Sequence, residues 1–73
     1  MNVKKLVEKM HNQPNGIRME EAHKVLEYYG YRLVRQKGSH RQYLHSNGDL
    51  ITVKEDSLLK KVYVIDILGR IGE

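Results

Sequence analysis

The stretch Arg35-Gln36-Lys37-Gly38-Ser39-His40-Arg41-Gln42-Tyr43 gathers a titratable imidazole, three cations and a Gly-Ser pair within nine residues. Those are the parts needed to break an RNA strand internally. A base must take the 2'-hydroxyl proton, positive groups must hold the phosphate as charge builds on its oxygens, and an acid must protonate the leaving oxygen. Histidine titrates nearest to neutral pH, which makes His40 the candidate catalytic residue. Lys37 and Arg41, with Arg35 beside them, are candidate phosphate ligands. Backbone N–H groups around Gly38 and Ser39 can approach a phosphate closely because glycine presents no side chain. This route calls for no metal and no cofactor.

The same residues fit other roles. A single histidine among surface cations is more often a solvated side chain than a catalyst. The stretch therefore also describes a non-catalytic RNA-binding module, or more weakly an adaptor whose basic strand docks an acidic protein. His45 shares a strand face with Arg41 and Tyr43 and reads as packed or stacked at a hairpin end. His11 at a helix end and His23 on a polar helix face read as structural or solvent-facing. The four histidines lack the paired spacing with carboxylate support that a zinc site needs, and there is no cysteine.

Charge points the same way. The formal net charge is +4, and from Tyr28 to Gly48 there is not one Asp or Glu. That window holds four of the thirteen Lys and Arg, so outside it the two signs balance at nine each. A concentrated basic patch is the footprint of a polyanion partner. At 73 residues the chain is read as one domain, residues 1–73, too short for more than a modest core. No apolar run approaches a membrane span or a signal peptide, so a cytoplasmic location is expected.

The elements that must position His40 follow from periodicity. Val3, Leu6, Val7 and Met10 form one helical stripe that should end near His11, and Asn12-Gln13-Pro14-Asn15-Gly16 reads as a loop. Met19, Ala22, Val25, Leu26 and Tyr29 share the face of a second helix, with Gly30 as its C-terminal cap and no good N-cap side chain before it. From Tyr31 the period becomes two. Tyr31 to Lys37 and His40 to His45 read as strands joined at Gly38-Ser39. Asn47-Gly48 predicts a tight hairpin with positive φ angles into a third strand, Leu50 to Lys54. Val62 to Ile71 closes the chain as a helix through Val64, Ile67, Leu68 and Ile71. The order is α-α-β-β-β-α, an α+β fold in two layers with a three-stranded antiparallel sheet covered by helices. With Tyr43 inward beside Ile51 and Val53, alternation sends His40, Gln42 and Leu44 to the open face. Tyr29 and Tyr31 read as core rather than as a base-stacking platform.

The run Lys37-Gly38-Ser39-His40, behind an aromatic-led strand and ahead of Tyr43, His45 and Gly48, resembles the signature of the HicA family, the toxins of HicBA toxin–antitoxin systems. Pro14-Asn15-Gly16-Ile17-Arg18 before the second helix and Val62-Tyr63-Val64 at the start of the last resemble its longer members. Many members carry a Gly-Pro type connection where this chain has Leu58-Leu59-Lys60-Lys61, and the shorter ones lack the first helix. The resemblance implies a fold similar to the double-stranded-RNA-binding domain and a messenger-RNA interferase activity. It also implies catalysis by His40, phosphate-side support from Lys37, Gly38 and Ser39, and inhibition by a HicB antitoxin. Arg41 enters from charge and position alone.

Overall fold

The computed structural model describes residues 2–73, with elements α1 (Val3–Asn12), α2 (Met19–Tyr28), β1 (Tyr31–Lys37), β2 (His40–His45), β3 (Leu50–Lys54) and α3 (Lys61–Ile71). Helix α1 begins because the Asn2 side chain accepts a hydrogen bond from the Lys5 N–H at 2.9 Å, and it buries Leu6, Val7 and Met10. Its Lys9 ammonium reaches the Glu21 carboxylate at 2.8 Å, which ties α1 to α2. The loop between them is anchored by Ile17, which is fully buried and whose carbonyl accepts from the Leu59 N–H at 2.8 Å.

Helix α2 starts without an N-cap side chain of the usual kind. Glu21, three residues in, instead reaches back to accept from the Arg18 N–H at 2.9 Å, which is one half of a capping box. Burial works to raise the Glu21 pKa, but the hydrogen bonds from Lys9 and Arg18 outweigh it and hold the carboxyl below its usual range. The helix stops where Gly30 takes φ +90°.

The sheet has the order β1-β2-β3, antiparallel throughout. Lys37 pairs with His40, so Gly38 and Ser39 alone make the first turn, with Gly38 at φ +59° in the first loop position. The second turn differs from the tight Asn-Gly hairpin expected. Only Gly48 has a positive φ, +94°, and the loop runs over Ser46-Asn47-Gly48, closed by His45 N–H to Asp49 O at 2.9 Å and Gly48 N–H to His45 O at 2.9 Å. Asn47 also caps this loop by accepting from the Asp49 N–H at 2.8 Å, an Asx turn that spares it the left-handed region.

Tyr31, Tyr43, Ile51 and Val53 from the strands join the buried faces of all three helices in one apolar cluster, with Val64, Ile67 and Leu68 contributed by α3. The helices therefore cover one face and leave the other open. Helix α3 ends on Gly72 at φ +78°, which donates its N–H to the Leu68 carbonyl.

One irregularity decides which side chains reach the open face. Leu33 faces Tyr43, but the next pair is Arg35 with Gln42, so Val34 is an extra residue and β1 carries a bulge. Counted by strict alternation from buried Tyr31, Arg35 and Lys37 would point toward the helices. The bulge turns them over to the open face, with His40.

Candidate active site

Strand register arranges the open face in three rows. Lys37, His40 and Lys54 are directly opposite one another across β1, β2 and β3. The next row is Arg35, Gln42 and Thr52, and beyond it lie Arg32, Leu44 and Leu50. Directly opposed residues on one sheet face hold their Cβ atoms about 5 Å apart, so His40 stands between two lysines. Arg35, Lys37, Gly38, His40, Gln42 and Thr52 line a shallow depression of about 530 Å³. His40 is exposed, and among the described residues no hydrogen bond or ion pair occupies the side chains of Arg35, Lys37, His40 or Lys54.

The residues singled out from sequence separate into two groups. Arg35, Lys37 and His40 come together with the Gly38-Ser39 turn. Arg41 does not join them. It lies on the opposite face of β2, where its guanidinium contacts the Glu55 carboxylate at 3.0 Å and donates to the Tyr43 hydroxyl at 3.3 Å. The hydrogen bond to Tyr43 and the pairing with Glu55 raise its pKa further. Neighbours in a strand face opposite ways, so adjacency to His40 in the chain puts Arg41 on the far side in space. Lys54, which the sequence reading passed over, takes its place. The signal was present, since Ile51 and Val53 inward put Lys54 outward.

Below the sheet a polar chain holds the turn that carries His40. The Glu55 backbone N–H donates to the Ser39 carbonyl at 2.6 Å, and Gln36 donates to the Gly38 carbonyl at 3.3 Å. Arg41 links Glu55 to Tyr43, whose hydroxyl is 2.7 Å from His23 Nδ1, while His23 Nε2 is 3.2 Å from Glu27. Burial pushes the Tyr43 hydroxyl pKa up, with Arg41 opposing it. His23 is thus a structural link between α2 and the sheet rather than a residue of the open face.

His45 is likewise packed. Its ring meets Tyr31 edge to face at 4.9 Å, and its Nδ1 accepts from the Asn47 N–H at 3.0 Å. Tyr31 donates to Asp49 at 2.6 Å, and its pKa is pushed up to about 12 by burial and by that carboxylate. His11 is exposed at the end of α1. A larger groove of about 900 Å³ lies on the helical side against Val3, Val7 and Tyr29, and Tyr28, 70% exposed, is there rather than near His40. No described helix is long and apolar enough to cross a membrane, and no three His, Asp or Glu among the described residues converge on a point where a metal ion could sit.

The open face therefore presents an exposed imidazole on the middle strand of its first row, with a lysine directly opposite on each side. A family model described as the HicA toxin of bacterial toxin-antitoxin matches residues 19–72, from the first residue of α2 to the cap of α3, which leaves α1 outside the match. No curated protein and no solved structure gives a significant match. The chain belongs to the HicA toxin family, the toxins of bacterial toxin–antitoxin systems.

Proposed function

We propose that the protein is an endoribonuclease toxin that cuts messenger RNA in the cytoplasm, with His40 as the acid–base residue and Arg35, Lys37 and Lys54 holding the phosphate. The observation that carries this reading is the placement of His40, exposed and directly between Lys37 and Lys54 on the open sheet face. His40 takes the proton of a ribose 2'-hydroxyl, whose oxygen attacks the adjacent phosphorus. The bond from phosphorus to the 5'-oxygen breaks, and that oxygen collects a proton at a site open to solvent. The flanking ammonium groups offset the charge gathering on the phosphate oxygens. The Gly38 and Ser39 N–H groups lie at the same end of the sheet.

As a toxin of its family, the protein pairs with an antitoxin. We propose a HicB-type antitoxin that acts by covering the His40 face and keeping RNA away from the lysines.

The test is cleavage of a labelled single-stranded RNA in EDTA by the parent and by His40→Ala, with matched thermal midpoints. Cleavage by the parent alone supports the reading, because acid–base catalysis contributes roughly a hundredfold to ten-thousandfold. If neither protein cuts while both bind RNA equally, the face is a binding module and not an active site.

A further inference from the structure

The proposed active site uses the first of the three rows on the open face and, of the other two, only Arg35. The other two change character in a regular way. Along β1 every row begins with a cation, Arg32, Arg35 and Lys37, brought into one column by the bulge at Val34. Across β2 and β3 the rows run from His40 and Lys54 to the amide of Gln42 beside the hydroxyl of Thr52, and then to Leu44 beside Leu50, which is 44% exposed. Rows two residues apart are about 7 Å apart.

A column of cations beside a column of amide, hydroxyl and apolar groups fits a strand whose phosphates follow one edge while its bases lie over the sheet. Single-stranded RNA has that form, with unstacked bases whose edges can be hydrogen-bonded. In a duplex those edges are already paired. Resting on the reading of the His40 face as an RNA site, we propose that Gln42 and Thr52 read the edge of the base one step from the cleaved phosphate, and that Leu44 with Leu50 seats the next base. A primary amide presents a donor and an acceptor side by side and matches a base edge in two hydrogen bonds, while a hydroxyl can act as either. Neither Gln42 nor Thr52 makes a side-chain hydrogen bond among the described residues, so both are available.

The experiment uses the full chain as His40→Ala, so that RNA survives, and reads its affinity for short homopolymers of A, C and U by fluorescence anisotropy. One homopolymer is expected to bind roughly tenfold more tightly than the weakest, near the low end of what a two-bond base contact discriminates. Gln42→Leu and Thr52→Val should each flatten that difference while leaving the thermal midpoint unchanged. Equal affinity for the three homopolymers overturns the base-reading assignment, even if the parent protein cuts RNA. A preference that survives both substitutions also overturns it. Conversely, a preference that depends on Gln42 in a protein that never cuts RNA removes the ribonuclease reading and leaves the base-reading pair in place.

Discussion

Two cations four residues apart in the sequence should respond to substitution in opposite ways. Lys37→Gln removes a charge from the open face. If that charge neutralises one phosphate, the dependence of log affinity on log salt for single-stranded RNA should become shallower by about 0.7. Its thermal midpoint should stay within error of the parent, because the side chain is exposed and makes no hydrogen bond or ion pair among the described residues. Arg41→Gln should leave the salt slope alone and cost stability. The Arg41 side chain is 20% exposed and holds Glu55, which is 41% exposed and can recover much of its hydration when left alone. Tyr43 keeps His23 as a partner at 2.7 Å, so no buried hydroxyl is orphaned. A hydrogen bond to a charged group is worth about 1.5–3 kcal/mol, and discounting for exposure leaves about 1–2 kcal/mol. In a domain of this size that lowers Tm by roughly 5–15 °C. The assay is a salt titration of RNA binding beside a thermal melt for each variant. A shallower slope in Arg41→Gln, or an unchanged slope in Lys37→Gln, would refute the assignment of faces.

Gly30→Ala should destabilise by roughly 2–4 kcal/mol, since the residue sits at φ +90° and a Cβ there would meet His45 Nε2 at 2.8 Å, while Gly38→Ala, at φ +59° with nothing within 4 Å, should cost about 1–2 kcal/mol in urea unfolding. Combining Gly30→Ala with His45→Ala should recover part of the loss, and strict additivity would count against the contact. Glu21 and Asp49 both have folded pKa values below their ordinary values of 4.5 and 3.8, Asp49 mainly through its hydrogen bond from Tyr31. Their contribution is complete above those values and is lost as pH falls through the lower folded ones. Urea midpoints should therefore decline on acidification below about pH 4.5, and Glu21→Gln should shrink the decline. Deleting Val34 should straighten β1 and still leave Arg35 and Lys37 beside His40, so RNA affinity and its salt slope should match the parent. A loss of both would mean that Val34 is not the extra residue.

Strand boundaries were legible because Leu50 to Lys54 alternates and glycine sits where the turns need it. The exposure of His40 follows from alternation along β2 and β3, and so do the inward course of Arg41 and the outward course of Lys54. The bulge was not legible. Leu33 and Val34 are both apolar strand formers, and nothing in their types marks one of them as surplus. Its effect on Arg35 and Lys37 appears only once β1 is paired with β2. The start of α2 was obscured for a related reason, since its cap is supplied by Glu21 from inside the helix rather than by the residue before it.

The position of β1 at the margin of the sheet gives its cations a second consequence. A seven-residue strand with one free side is a template on which another chain can continue the ladder. Charge along that margin and a kink in its backbone are the two features that frustrate such growth, and β1 has both in Arg32, Arg35, Lys37 and the bulge. Neutralising the column wholesale to silence RNA binding would therefore also strip the protein of its protection against self-association, and a precipitate from such a variant would report on colloidal behaviour rather than on catalysis.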